Sequence, residues 1–146
     1  MKITINIDKN YSETEVTINA SSMSDELDRV LASLRALDFK LTGTKDGQTH
    51  ILEASQVLYI DTVDKKTFLY TKQSVYETNQ KLYELEEILS ASNFFRAGKS
   101  VIINFNKIKS LKSDIGGRII VILENGEKLI VSRQYTEFIK NKLGRS

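Results

Sequence analysis

The chain has no cysteine, no proline and a single histidine among its 146 residues. Without cysteine there is no disulfide, no thiolate nucleophile and no Cys-ligated zinc or iron–sulfur site. His50 alone cannot build a multi-histidine metal site, so neither a metal nor a cofactor is expected. Long apolar runs are also missing. The longest, Ile119-Ile120-Val121-Ile122-Leu123, falls far short of the roughly 20 residues that a membrane span needs. Met1-Lys2 is followed by alternating residues rather than an apolar block, unlike a secretory signal, so a cytoplasmic soluble protein is the expectation. What is present is ordinary globular usage, 40% apolar and 27% charged, in a length that suits one domain with a short accessory element.

The net charge of +2 conceals two unlike sections. Residues 1–90 carry 10 Lys/Arg against 15 Asp/Glu, whereas residues 91–146 carry 11 against 4. A basic last third suits an anionic partner, nucleic acid first among them. It also suits a simple balance of charge within the fold.

Periodicity predicts the elements. Ile3, Ile5 and Ile7 alternate with polar residues, as do Val16 and Ile18, which predicts two strands. Met23, Leu27, Val30, Leu31, Leu34 and Leu37 recur at spacings of three and four, predicting a helix with Ser22 as its N-cap. Two hairpins are expected next, one turning at Lys45-Asp46-Gly47 between Phe39–Thr42 and Thr49–Glu53. The other turns at Asp64-Lys65, between Val57–Val63 and Lys66–Thr71. Leu82, Leu85, Ile88 and Leu89 mark a second helix, with Glu84, Glu86 and Glu87 on its wet side. Strands are expected again at Phe95-Arg96, Val101–Ile103, Ile108–Lys112, Arg118–Leu123 and Lys128–Val131, with Asn125-Gly126 as a type I′ turn. A last helix from about Arg133 carries Tyr135, Phe138, Ile139 and Leu143, capped by Ser132. The fold class is α+β, mostly antiparallel β, with a β-β-α accessory region at 1–42 and the main domain at 43–146.

Few motifs carry chemistry. Gly98-Lys99-Ser100 has the ending of a phosphate-binding P-loop, but Asn93 stands where that loop needs glycine, and strand-like Val101-Ile102-Ile103 follows where it needs a helix. No serine and aspartate single out His50 as a general base. No catalytic site is read. Arg96, Lys99, Lys107, Lys109, Lys112 and Arg118 fall within 23 residues whose only acid is Asp114, and Arg133 opens the last predicted helix. A cation at a helix start is disfavoured by a few tenths of a kcal/mol, which hints at a functional reason for Arg133.

In combination, Phe94-Phe95-Arg96-Ala97-Gly98-Lys99-Ser100-Val101-Ile102-Ile103-Asn104, Ile108-Lys109, Leu123-Glu124-Asn125-Gly126-Glu127 and Val131-Ser132-Arg133-Gln134-Tyr135 resemble the LytTR-type DNA-binding domain of bacterial transcription regulators. The strand Val57–Asp61 and the helix around Leu82–Glu86 match that family's order of elements, so the resemblance spans about residues 43–144. It implies a mostly antiparallel β domain that binds double-stranded DNA through loops between strands, as two copies on imperfect direct repeats. Three contact loops follow from it: Asp64, Lys65, Lys66 and Thr67; then Gly98, Lys99 and Ser100; then Arg133, the base-reading residue, with Gln134 beside it. Many members have histidine at the position of Gly98, and its replacement alters the expected sequence preference. The accessory region is too short to be a phosphorylatable receiver domain. The resemblance is therefore closest to free-standing regulators, some of which are restrained by a small membrane protein.

The expected function is thus a non-enzymatic, sequence-specific transcription regulator acting as a homodimer, without a small-molecule substrate. Lys65, Lys66, Lys99 and Arg96 would anchor phosphates, while Arg133 and Gln134 read base edges in the major groove. Two other readings stay open at this stage, a module whose basic face grips an acidic protein and a small carboxylate enzyme.

Overall fold

The computed structural model describes residues 1–144. Residues 1–24 contain no strand, and the first regular element is α1, Asp25–Asp38. Ten strands follow among the described residues: β1 Lys40–Lys45, β2 Gln48–Glu53, β3 Tyr59–Val63, β4 Lys66–Tyr70, β5 Val75–Thr78, β6 Phe94–Gly98, β7 Val101–Asn104, β8 Ile108–Ser113, β9 Ile119–Leu123 and β10 Lys128–Val131. Helix α2, Leu82–Leu89, lies between β5 and β6, and α3, Glu137–Lys142, ends the described chain. A seven-stranded sheet runs in the order β2-β1-β5-β4-β3-β7-β6, and a three-stranded sheet runs β10-β9-β8. Every strand pair is antiparallel. The expected class, α+β and mostly antiparallel, is therefore what forms.

Two cores sandwich the large sheet, because successive strand residues point to opposite faces. Ile60, Leu69, Phe94 and Ile102 face α2, packing on Leu82, Leu85 and Leu89. Their chain neighbours Tyr59, Phe95 and Ile103 face the other way, onto Ile119, Val121, Leu123 and Val131 of the small sheet and Ile139 of α3. This double burial explains the adjacent apolar pairs Tyr59-Ile60, Phe94-Phe95 and Ile102-Ile103 in β3, β6 and β7, one member of each facing each core. Each such side chain removed from water contributes about 1.5–3 kcal/mol. Asn104 is buried with them because its Nδ2 donates to Val57 O at 2.9 Å and its Oδ1 accepts from Asn106 N at 3.1 Å.

Several expectations need correction. The two strands predicted at 3–7 and 16–18 do not form: Ile3, Ile5 and Ile7 are 74%, 77% and 95% exposed, and neither segment joins either sheet. A lone two-stranded ribbon is marginal in water. The cap of α1 is Ser24, whose Oγ accepts from Leu27 N at 3.2 Å, rather than Ser22. Strand β5 was not predicted, since Val75–Thr78 is only four residues long. The two-residue turns with both central φ positive are Asp64-Lys65 and Asp46-Gly47, whereas only Gly126 is positive in the Asn125-Gly126 turn. That connection has an extra residue, with Gly126 N donating to Leu123 O at 2.9 Å, so it is not type I′.

Candidate functional site

Three of the loops singled out in the sequence converge at one end of the molecule. The β3–β4 hairpin turns at Asp64-Lys65, with φ of 51° and 67°. Its neighbour in the sheet is the β6–β7 turn at Lys99-Ser100, because β3 pairs with β7 and Thr62 N donates to Ser100 O at 2.9 Å. The third loop leaves β10 at Ser132 and makes a short helical turn over Arg133–Tyr135 before α3 begins.

A bulge joins the third loop to the second. The β6–β7 register shifts between Arg96 and Gly98. The Ala97 carbonyl accepts from both Ser132 N, at 2.9 Å, and Ser132 Oγ, at 3.2 Å. Ser132 is therefore a tie between the two sheets and not the helix cap expected for it; its side chain makes no cap hydrogen bond. Arg133 accordingly sits in a three-residue turn, so a dipole penalty at an α-helix start does not account for it.

Arg96 holds the second loop from within. Its Nε donates to Gly98 O at 2.7 Å, Nη2 to Lys99 O at 2.6 Å and Nη1 to Glu86 Oε1 of α2 at 2.7 Å. The planar guanidinium fork suits this role, since three donors at fixed angles pin two successive carbonyls against a carboxylate. Only a fifth of the Arg96 side chain is exposed. That leaves little of it for a phosphate, contrary to the expectation from sequence, and Glu86 is a partner rather than a merely solvated residue. Thr67 and Gly98 are buried as well, with the Thr67 hydroxyl 3.5 Å from that of Thr62.

Lys65, Lys66, Lys99, Ser100, Arg133 and Gln134 are exposed at this end. Among the described residues none of Lys65, Lys66, Lys99 and Arg133 makes an ion pair, whereas Lys72, Lys107 and Arg118 do. Four unneutralised cations on adjoining loops make a surface for an anion larger than a single carboxylate. A fourth loop, between β8 and β9, escaped the sequence reading. Gly117 has φ of 80°, and a Cβ there would meet Arg133 Cγ and Cδ at 3.0 Å, so the arginine stem lies directly on its backbone. An Asp114–Arg118 ion pair of 2.8 Å closes the loop and leaves Ile115 at its tip 87% exposed. The Gly116-Gly117 pair, both at positive φ, was the available signal.

The groups with shifted proton affinity lie elsewhere. Burial raises the Asp61 carboxyl above its ordinary value, although a Tyr70 hydrogen bond partly offsets this, and Asp61 Oδ1 is buried without a partner. Burial also pushes Tyr70 up to about 12, helped by Asp61, and raises Tyr59, whose hydroxyl donates to Glu127 Oε1 at 2.8 Å. The Tyr59 and Tyr70 rings stack at 4.1 Å over this cluster. Two shallow depressions lie near the three loops, one lined by Ser132, Arg133 and Gln134 and the other running from Glu86 to Phe138, and the cluster lines neither. No helix among the described residues is long and apolar enough to cross a membrane, and no group of three or more potential metal ligands is found among them.

Residues 47–144 match the LytTr DNA-binding domain family. Over 145 residues the chain is 30% identical to an HTH-type transcriptional regulator of Staphylococcus aureus strain COL, covering 98% of both chains. A corresponding regulator of strain MW2 is 29% identical over the same length. Among solved structures, the LytTr DNA-binding domain of a methyl-accepting/DNA response regulator from Bacillus cereus superimposes with a TM-score of 0.67 at 28% identity, covering 72% of this chain and 96% of that one.

Proposed function

The chain belongs to the LytTr DNA-binding domain family, and from that membership we propose that it is a sequence-specific transcription regulator that reads the major groove through its converging loops, as two copies on direct repeats. It performs no catalysis in this reading and acts in the cytoplasm, where its DNA is. The observation that supports it best is the row of unpaired cations, Lys65, Lys66, Lys99 and Arg133, on loops tied to one another by backbone hydrogen bonds. Phosphate neutralisation needs cations on one surface, and base reading needs an arginine held in place.

In this proposal Lys65, Lys66, Lys99 and Ser100 grip the backbone, and Arg133 with Gln134 meets base edges. The Gly117 backbone under the arginine stem limits where its guanidinium can go. Arg96, Gly98 and Thr67 shape the turns without themselves reaching DNA, Arg96 by holding the carbonyls of Gly98 and Lys99. A small membrane protein restraining the regulator belongs to the same reading.

Selection of bound duplexes from a random pool, followed by salt titration of the winner, tests it. A preferred sequence bound at least about 10³-fold more tightly than random duplex is expected, with affinity falling steeply as salt rises. Equal affinity for all duplexes, or affinity indifferent to salt, overturns the proposal. A module whose basic face instead grips an acidic protein would show the first behaviour, equal affinity for all duplexes.

A further inference from the structure

Residues 1–24 present an anomaly that the DNA-reading end does not absorb. The chain turns at Asp8–Tyr11, where Asp8 Oδ1 accepts from Asn10 N at 2.9 Å and Asp8 O from Tyr11 N at 3.3 Å. On either side of that turn Ile3, Ile5 and Ile7, then Val16 and Ile18, alternate with polar residues and are all exposed. Among the described residues the flanking segments 1–7 and 14–20 make no backbone hydrogen bonds to any strand. Helix α1 continues the open surface: Leu27, Leu31 and Leu34 of its apolar stripe are only half-buried and Leu37 is exposed, while Ala32 and Ala36 pack inward. A row of unpaired N–H and C=O groups beside an apolar face is a template for another strand.

We infer that this region, residues 1–42 in the sequence reading, is a self-association element whose occupant is the same region of a second copy. One copy supplies two alternating segments, too few for a stable sheet, whereas two copies supply four segments and two helices to cover them. The charges on the segments are complementary, Lys2 on the first against Glu13 and Glu15 around the second. Area is sufficient too. At roughly 60–120 Å² for each apolar side chain, the five alternating residues alone bring about 400 Å² per copy. Paired backbones and the α1 stripe carry the total toward the roughly 1,200–2,000 Å² of a stable dimer.

The matched Staphylococcus regulators extend over this region as well, whereas the family match begins only at residue 47. Residues 19–24 carry no strand or helix. Fully extended they reach at most ~20 Å in each copy, which lets paired arms serve two domains on neighbouring half-sites about 34 Å apart. This inference rests on the two-copy reading above and gives it a surface.

The test uses the full chain. Sedimentation equilibrium is expected to give twice the monomer mass for the natural sequence and the monomer mass for the double variant Ile3→Glu, Ile5→Glu. Both side chains are exposed in a single copy, so its circular dichroism should match that of the natural chain. Affinity for a selected duplex cut to one half-site should be unchanged, and affinity for the two-half-site duplex should fall at least about tenfold. Because the chain lacks cysteine, Ile5→Cys should form a covalent dimer on oxidation and Ile115→Cys should not. A natural chain that stays monomeric, or a double variant that stays dimeric, overturns the inference. So does a monomeric natural chain that partitions onto anionic lipid vesicles through these residues. A dimer that shows no preference among duplexes leaves the arm standing and removes the DNA reading instead.

Discussion

Lys99 and Arg96 stand three residues apart around one turn and are expected to fail differently when truncated. Lys99 is exposed and without an ion pair, so Lys99→Ala should weaken binding to every duplex about equally and lower the slope of log affinity against log salt by about 1. Arg96 instead holds the carbonyls of Gly98 and Lys99 and meets Glu86. Arg96→Ala should lower stability by about 1–2 kcal/mol, discounted for the exposure of Glu86, and reduce DNA affinity with the salt slope unchanged. Salt-dependent binding isotherms on both variants separate the roles; a unit drop in slope for Arg96→Ala would mean that it touches phosphate after all. The sequence revealed that a cation was present at each place. It did not reveal which was already engaged, because Glu86 lies ten positions away on a different element and its partnership depends on how α2 packs.

Among the elements, hairpins were the most legible. Alternation and two-residue turns located β1–β2 and β3–β4 because both the period and the positive φ are local properties. What was misread depended on tertiary surroundings. Asp64-Lys65 forms the tight turn although Asn125-Gly126 has the stronger local preference for it, and the arm segments alternate like strands without a partner to make them so. Asp61 on β3 was equally invisible, since its raised proton affinity arises from burial and from the charge of Glu127, in the loop between β9 and β10, and is partly offset by Tyr70 on β4. Its folded-state pKa lies above the unfolded value, so the folded form holds its proton more tightly. Stability from this group is greatest at low pH, falls as pH rises through the interval between the two values and stays reduced at neutrality. Asp61→Asn keeps an acceptor for Tyr70 without the charge. It should raise stability near pH 7 and leave the acid end unaltered. Thermal unfolding from about pH 4 to about pH 8 measures this directly, and equal melting curves at neutral pH would contradict it.

Across the whole molecule, the near-neutral net charge is the sum of a slightly acidic front and a basic last third. The fold gathers two of the three candidate loops from the basic third and brings the Asp64–Lys65 turn from the front beside them through the β3–β7 pairing. The domain's order of elements was legible because double-sided burial makes its central strands conspicuous. The fourth loop was not, because its relation to Arg133 exists only when β9 and β10 fold against β6. The central claim is that this end of the molecule reads DNA sequence and that Arg133 is the reader. Paired binding isotherms for the natural chain and Arg133→Ala, on a selected duplex and on random duplex, test it most directly. A loss of about 1–3 kcal/mol on the selected duplex, with preference relaxed at one base pair and little change on random duplex, is expected. Unchanged isotherms on the selected duplex would contradict the claim.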